Sequence, residues 1–322
     1  MNKDIIIRKL LRIFSTSINY LNFFGLLPSQ KIKKPSSKPY IHIIGPPRIG
    51  STVLYQLLAS TGRFSYLTNY DHFFYSFSSL LNSSSSKIKF SQISNKSSNG
   101  FVKGIYSPSE ANKFWLYWFD FSLVERDPKI NKRKKEFALS LIRNRIDKDQ
   151  TDAFLSSWNA NAFYVDELIK ISPNTIFIYL VRDPVDICIS ILKARIDTFG
   201  SIDKYWSMKP KGLIHSDPLR DVVQQAWLLH HKSLLSLKKM ADQNKAFIRY
   251  KTLCIKPREV VKCLMKKCGA KISTTNLNKL PKSLNFSSGA NFMCFRGEIE
   301  KITKNYDWSV NDIHFIAEKA NY

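Results

Sequence analysis

Residues 40–52 read Tyr-Ile-His-Ile-Ile-Gly-Pro-Pro-Arg-Ile-Gly-Ser-Thr, and this stretch decides the fold class. The run from Tyr40 to Ile44 is apolar, rich in β-branched residues and closed by a glycine, which predicts a short buried strand. Beyond Gly50 the apolar residues recur at helical spacing, at Val53, Leu54, Leu57 and Leu58. A strand, a glycine-bounded turn and a helix in immediate succession predict the front end of a doubly wound α/β domain.

The same strand and helix pattern recurs twice along the chain. Residues 175–181 read Thr-Ile-Phe-Ile-Tyr-Leu-Val and predict a second buried strand. Asp183 is then expected to cap a helix with Pro184 in its first position. Residues 246–250 predict a third strand, and a helix is expected after Pro257. Because no internal repeat and no linker are apparent after residue 40, we expect one α/β domain over residues 40–322.

Two segments fall outside this pattern. Residues 1–39 predict an amphipathic helix followed by a basic linker, because cations such as Arg8 and Arg12 lie opposite an apolar stripe. No apolar run there reaches the roughly 20 residues of a membrane-spanning helix. The helix has two open interpretations, packing against the domain or peripheral contact with an anionic inner membrane face. Residues 76–99 are rich in serine and predict a flexible insertion.

Composition bounds the class of protein and its partners. The chain has 322 residues, 44% of them hydrophobic and 23% charged, which is typical of a soluble globular protein and excludes disorder. A formal charge of +25 indicates an anionic partner, whether nucleic acid, a membrane surface or a small polyanion. The five cysteines are scattered with no CxxC pair, which indicates neither a zinc site nor a disulfide framework. A reducing, cytoplasmic location is therefore expected.

The turn from Gly45 to Thr52 is the first candidate site. Backbone N–H groups of a glycine-bounded turn, together with the positive end of the following helix, form a cradle for an anion. The position after the second glycine holds Ser51, where nucleoside-triphosphate loops carry a lysine. The basic residue is instead Arg48, which is expected to hold its guanidinium over the turn.

The second candidate site is Arg182-Asp183-Pro184-Val185-Asp186-Ile187-Cys188-Ile189-Ser190, at the carboxyl end of a predicted strand. Ligands of open α/β sheets bind at that edge. An arginine offers the fork geometry that a phosphate requires, and Ser190 adds a neutral donor within reach of the same anion. Two anion sites at the ends of two strands, in a chain of this charge, are expected to act together.

These residues resemble the sulfotransferases that use 3′-phosphoadenosine 5′-phosphosulfate (PAPS). The first turn is similar to the loop that holds the 5′-phosphosulfate in that family, and Arg182 to Ser190 is similar to its 3′-phosphate motif. Ile248-Arg249-Tyr250-Lys251 resembles the segment that follows. The stretches around Ser107 to Trp115 and Lys193 to Pro210 resemble a bacterial branch associated with cell-surface glycans. The resemblance covers residues 40–269.

The resemblance implies a P-loop-like three-layer fold, in which helices flank a central parallel sheet. It also implies transfer of a sulfuryl group from PAPS to a hydroxyl or amine of an acceptor, with a carbohydrate or glycoconjugate expected and no metal needed. Arg48 would stabilise the charge that develops on the bridging oxygen. Gly50, Ser51 and Thr52 would hold the 5′-phosphate, and Arg182 and Ser190 the 3′-phosphate.

The family also needs a general base, for which it uses His or Glu. Glu110 is the first candidate because an aromatic cluster follows it, and burial among such rings raises a carboxyl pKa. An equally weighted alternative makes Glu110 a capping-box residue. Asp71 and His72 come second, at about twenty residues beyond the turn. His42 lies inside a predicted strand and is expected to be a core residue, while His230 and His231 lie on a leucine-rich helix.

Two other classes of protein stay open. A P-loop nucleotide kinase would share the first turn. This chain, however, has neither the lysine of such a loop nor a metal-binding carboxylate in the expected place after the second strand. A basic nucleic-acid or membrane-surface protein would explain the charge but would leave the two strand-end sites without a purpose. Two features depart from the family: residues 157–161 stand where relatives often carry Lys-Asn, and only Arg296-Gly297 matches a further phosphate-binding segment.

Overall fold

The computed structural model describes residues 38–76, 104–214, 217–271, 273–285, 294–311 and 313–317. The amphipathic helix and most of the linker expected over residues 1–39 lie outside these ranges. So does the serine-rich insertion expected over residues 76–99, apart from Ser76. Both expectations therefore stay predictions.

The centre of the fold is a sheet of five parallel strands in the order β2-β3-β1-β4-β5. The strands are β1 (Tyr40–Ile44), β2 (Phe64–Tyr66), β3 (Ala153–Ser156), β4 (Ile176–Val181) and β5 (Lys245–Arg249). Because β1 pairs with β3 on one side and β4 on the other, the chain reverses its direction of winding at β1. The carboxyl end of β1 is therefore a topological switch point, where α/β proteins bind their ligands.

Helices follow the strands in chain order. They are α1 (Ser51–Ala59), α2 (Asn69–Phe73), α3 (Asn112–Phe119), α4 (Lys132–Lys148), α5 (Val165–Ile171), α6 (Pro184–Phe199), α7 (Pro218–Lys238), α8 (Tyr250–Ile255), α9 (Pro257–Lys267), α10 (Thr274–Asn278) and α11 (Arg296–Thr303). Short 3₁₀ turns lie at Asn159–Phe163 and Asp242–Asn244. Within the described ranges, none of the helices is both long and apolar enough to cross a membrane.

The sheet is buried on both faces, as parallel sheets are. Ile41 and Ile43 of β1 point into one hydrophobic core, which α1, α6 and α9 cover. Tyr40 and Ile44 point into the opposite core, which contains the aromatic side chains of α3. Helices on both faces of a central parallel sheet confirm the predicted three-layer α/β fold.

Most of the predicted elements are present at nearly the predicted bounds. β1 covers the predicted residues, β4 begins at Ile176 instead of Thr175, and β5 lies one residue earlier than predicted. Asp183 caps α6, where its carboxylate accepts a hydrogen bond from the Asp186 amide at 2.9 Å. The helix predicted after Pro257 is α9. The sequence analysis missed β2 and β3, which have only three and four residues.

Candidate active site

The turn between β1 and α1 needs glycine at both of its ends. Gly45 has φ of +133° and Gly50 has φ of +100°, backbone conformations that side-chain-bearing residues rarely adopt. A Cβ atom added at Gly50 would lie 2.4 Å from the ring of Tyr250. Glycine at position 50 therefore allows the Tyr250 ring to pack against the turn at the amino end of α1, a position that favours an anion.

Arg48 connects this turn to the second predicted site. Its backbone has φ of +71°, and its Nε donates a hydrogen bond to the Ser190 Oγ at 2.8 Å. Arg182 in turn donates from NH1 to the backbone carbonyl of Arg48 at 2.8 Å. The guanidinium of Arg182 also lies over the ring of Tyr250, 4.5 Å from its centre. The two turns that were predicted separately are thus parts of one site.

A cavity of about 410 Å³ lies between the two turns. It is lined by seven predicted site residues: Arg48, Gly50, Ser51, Thr52, Glu110, Arg182 and Ser190. His72 and Asp71 do not line it. The cavity therefore brings together residues that are far apart in the sequence. Arg48 and Ser190, for example, are 142 positions apart.

The cations of the cavity favour an anionic ligand. Burial lowers the pKa of Arg48, and the neighbouring charge of Arg182 lowers it further. An arginine nevertheless keeps its proton at physiological pH. Two guanidinium groups that repel one another in a partly dry cavity lower their energy when an anion binds between them.

Glu110 has the properties of a general base. Burial raises its pKa to about 7, although the charge of Arg48 opposes the shift. A carboxyl group with a pKa near the ambient pH is well matched to proton transfer. The capping-box interpretation of Glu110 is wrong, since the N-cap of α3 is Ala111 and no side chain caps that helix.

Asp71 and His72 lie on α2, outside the lining of the cavity. Asp71 is fully buried and forms the capping box of α2 with Thr68, whose backbone N–H donates to it at 2.7 Å. It also accepts two hydrogen bonds from Arg145, at 2.6 and 2.8 Å. Burial would raise the pKa of Asp71, but the charge and hydrogen bonds of Arg145 lower it overall. Asp71 thus serves the fold, and the ring of His72 packs edge-on against Phe73.

Sequence reasoning did not assign the neutral wall of the cavity. This wall consists of neutral side chains from three segments: Leu123, Trp158, Asn159, Ala160, Trp206 and Met208. Gln225 of α7 fixes the third segment by donating to the carbonyls of Trp206 and Met208, at 3.0 and 2.8 Å. Arg195 of α6 adds a hydrogen bond to the Ile202 carbonyl at 2.9 Å. The available signals were the run from Tyr205 to Pro210, noticed as a resemblance, and residues 157–161, noticed as a departure from the family.

A second cavity of about 370 Å³ shares Arg182 and Tyr250 with the first. Arg249 and Lys251 contribute further positive charge to its lining, and His230 contributes a buried imidazole. Burial lowers the pKa of His230 to about 4, so the ring is neutral.

His42 is a core residue as predicted, because it is 1% exposed inside β1.

Arg296, the other predicted phosphate contact, is held by carboxylates. It pairs with Asp186 on α6 at 3.1 Å and with Glu300 at 3.0 Å, and it does not line the cavity. Among the residues that the structure describes, no group of His, Cys, Asp and Glu is arranged to hold a metal ion.

Fold and site together define an α/β protein with an anion-binding turn and a second cationic turn at the switch point of its sheet. The model of a protein family described as the sulfotransferase family matches residues 39–274. This match covers more than half of the chain, and the protein therefore belongs to the sulfotransferase family. A comparison with proteins of curated function found no match.

This chain is similar to solved structures of sulfotransferases. The sulfotransferase STF9 from Mycobacterium avium shares 15% sequence identity at a TM-score of 0.54, over 88% of this chain and 79% of that one. The sulfotransferase domain from the curacin biosynthetic pathway has 16% identity and a TM-score of 0.44, over 86% of this chain and 100% of that one. The sulfotransferase STF1 from Mycobacterium tuberculosis has 12% identity and a TM-score of 0.48, over 84% and 77% of the respective chains.

Proposed function

We propose that the protein transfers a sulfuryl group from PAPS to a hydroxyl or amine group of an acceptor, and that this acceptor is a carbohydrate or glycoconjugate. The observation that carries the proposal is the single cavity onto which Arg48, Arg182, Ser190 and Glu110 all open. Three of these side chains suit a donor with two separate phosphate groups, and the fourth suits an acceptor that must lose a proton.

The residues present fit the donor. Gly50 lets the Tyr250 ring pack directly against the turn, and Ser51 and Thr52 add hydroxyl donors to the cavity at the start of α1. Ser190 accepts a hydrogen bond from Arg48 and still has its own proton to donate. Arg182, held over Tyr250, offers a fork of N–H groups to the 3′-phosphate.

In the proposed reaction, the acceptor oxygen forms a bond to sulfur while the bond between sulfur and the bridging oxygen of PAPS breaks. Glu110 takes the proton that the acceptor hydroxyl loses. Arg48 stabilises the negative charge that appears on the bridging oxygen, which leaves as part of 3′-phosphoadenosine 5′-phosphate. The protein thus acts by positioning and by electrostatic stabilisation, without a covalent intermediate.

A carbohydrate acceptor is supported by the neutral wall of the cavity. Trp206, which is partly exposed, lines that wall together with Asn159. A flat apolar surface combined with a hydrogen-bonding side chain suits a sugar ring, which has apolar faces and polar edges. The overall charge of +25 would attract both PAPS and an acidic glycan. Cytoplasmic location and peripheral membrane contact through the amphipathic helix expected within residues 1–39 both stay predictions.

The test is thermal stabilisation by 3′-phosphoadenosine 5′-phosphate, measured beside ATP with magnesium and 5′-AMP at equal concentrations. A ligand that binds only the native state raises the melting temperature. We expect the bisphosphate alone to give a clear shift, which Arg182→Ala abolishes and Arg220→Ala retains, because Arg220 is exposed on the surface. A shift with ATP and magnesium, or with none of the three nucleotides, would contradict the proposal.

A further inference from the structure

Asn159 is an unusual residue among those that line the cavity. Its side chain is 8% exposed, and its Oδ1 atom has no hydrogen-bond partner among the described residues. A buried amide that forms no hydrogen bond is costly, because the water it loses is not replaced. Such a residue at a cavity wall indicates a missing partner that arrives with a ligand.

The position of Asn159 is set by its neighbours in the chain. β3 ends at Ser156, and a 3₁₀ turn begins at Asn159, so the residue lies at the carboxyl edge of the sheet. The ring of Trp158 lies parallel to that of Trp115, with the ring centres 6.3 Å apart, which fixes the backbone in front of the turn. The amide of Asn159 is therefore held on a rigid element, as a specificity residue needs to be.

Asn161, two residues further on, also has a buried Oδ1 without a hydrogen-bond partner among the described residues, but it lies in the core. Its Nδ2 approaches the His42 Nδ1 at 3.1 Å and the Ser156 Oγ at 3.3 Å. Asn161 does not line the cavity, whereas Asn159 does. Of the two asparagines, Asn159 is therefore the one to which a ligand can supply the missing partner.

The charged donor does not require Asn159 as a partner. The residues on either side of it in the chain, Trp158 and Ala160, line the cavity with it and carry no charge. The phosphate groups have arginines and hydroxyls to bind elsewhere in the cavity. An amide offers one acceptor and one donor group, and a hydroxyl matches both. The proton of the reacting hydroxyl goes to Glu110, which lies in a different segment of the chain.

We infer that Asn159 binds a second hydroxyl group of the acceptor, distinct from the one that receives the sulfuryl group. The enzyme then selects acceptors with several hydroxyl groups over alcohols with a single one. This inference rests on the proposed function and adds to it a residue that determines specificity. A site built to bind a hydroxyl discriminates strongly against an analogue that lacks it, because the buried polar group is left unpaired.

The experiment compares acceptors that differ only in their additional hydroxyls. PAPS with radioactive sulfur is supplied together with methyl glycosides of glucose, galactose, mannose and N-acetylglucosamine, or with tetrahydropyranylmethanol. The last compound keeps the ring and the primary hydroxyl but has no ring hydroxyls. We expect at least one glycoside to exceed it in kcat/KM by roughly tenfold to a hundredfold, the ratio that corresponds to one unpaired buried group.

The variant Asn159→Leu keeps the size of the side chain and removes its hydrogen bonds. We expect it to lose that preference, so that the ratio of kcat/KM for the glycoside to kcat/KM for tetrahydropyranylmethanol falls towards one. Asn305→Leu, the same change at an exposed position outside the cavity, is expected to keep the preference. An unchanged preference in Asn159→Leu, or a wild type that shows none, would overturn the inference.

The donor is tested separately by the melting-temperature shift with 3′-phosphoadenosine 5′-phosphate. If this shift is present in the wild type but no glycoside accepts sulfur, the inference is wrong and the proposed donor stands. A wild type with no shift and no transfer from PAPS contradicts the proposed function itself. If Asn159→Leu alone loses the shift, Asn159 serves the donor, and the assignment to the acceptor is overturned.

Discussion

Arg48 donates a hydrogen bond from Nε to the Ser190 Oγ at 2.8 Å, and this contact joins the first anion-binding turn to α6. It fixes the direction of the guanidinium, whose remaining N–H groups are left for the cavity. A guanidinium that is already oriented loses no further freedom when charge develops beside it in the transition state.

Arg48→Ala is therefore expected to lower kcat by roughly 10²–10³ with a smaller effect on binding of 3′-phosphoadenosine 5′-phosphate. Single-turnover transfer from PAPS, beside calorimetry of product binding, separates the two effects. Because Ser190 orients Arg48, the double variant with Ser190→Ala should lose less than the sum of the two single losses. Strict additivity would show that the contact has no part in catalysis.

Substitution of Gly50 by alanine tests whether the site needs the Tyr250 ring to pack directly against the turn. The new Cβ would lie 2.4 Å from the Tyr250 ring, on which Arg182 rests, and the backbone has φ of +100°. We expect a loss of roughly 2–4 kcal/mol in the free energy of unfolding, from backbone strain and overpacking together. Displacement of Tyr250 should also abolish binding of 3′-phosphoadenosine 5′-phosphate.

Gly62→Ala is the matched control, because Gly62 also has a positive φ, of +67°, but a Cβ there would meet nothing within 4 Å. It should lose only about 1 kcal/mol and keep full nucleotide binding. Urea denaturation provides the free energies, and calorimetry the affinities. Equal effects of the two substitutions would mean that the Tyr250 ring moves away from the new Cβ without loss of stability or of nucleotide binding.

Glu110 predicts a defined pH dependence of activity. Its carboxyl group has a pKa of about 7, and only the ionised form accepts a proton. Below that pH, kcat/KM should fall about tenfold per pH unit, and it should level off above it. In Glu110→Gln this fall of kcat/KM at low pH should vanish, and kcat should be lower by roughly 10²–10⁴. If the variant keeps the same fall of kcat/KM at low pH, the titration belongs to another group.

The same pKa shift affects stability. The carboxyl group of Glu110 has a higher pKa in the native state than in the unfolded chain, so the native state binds more protons between pH 4.5 and 7. The free energy of unfolding of the wild type should therefore fall relative to that of Glu110→Gln as the pH rises through this window, and the difference should stay constant above it. Glu298→Gln, at an exposed position, should show no such trend.

Sequence patterns located the two turns that line the cavity because each turn is a short local motif. The turn after Ile44 and the cap at Asp183 are each specified by neighbours in the chain, and both are present as predicted. β2 and β3 were missed because three or four residues carry no period, and their pairing depends on strands distant in sequence. The capping interpretation of Glu110 failed for a related reason, since a local pattern could not show that the side chain lines a cavity.

The neutral wall of the cavity was unpredictable for the same physical reason. Asn159 is significant only because it is buried without a partner, and burial is a property of the whole fold. Trp206 lines the cavity because Gln225, nineteen residues further along the chain, holds its carbonyl from α7. Contacts of this kind have no signature in a single sequence. Local motifs therefore indicate the donor side, whereas the acceptor side requires the structure.

Gln225 is the residue through which this wall can be tested. It is fully buried and donates to the carbonyls of Trp206 and Met208. Gln225→Leu leaves both carbonyls without these bonds, and we expect the free energy of unfolding to fall by roughly 1–3 kcal/mol. Since the loosened segment lines the proposed acceptor side of the cavity, KM for the acceptor should rise by roughly tenfold, whereas the affinity for 3′-phosphoadenosine 5′-phosphate should stay within about twofold.

The adjacent Gln224 gives the matched control for Gln225→Leu. Its side chain bonds to the Ile214 amide and the Gly212 carbonyl at the surface, outside the cavity. Gln224→Leu should change the free energy of unfolding by no more than about 0.5 kcal/mol and should leave KM for the acceptor unaltered. If Gln225→Leu lost stability but kept its acceptor KM, the segment from Trp206 to Met208 would be a structural support and no part of the acceptor site. A parallel loss of nucleotide affinity would instead show that the wall also positions the donor.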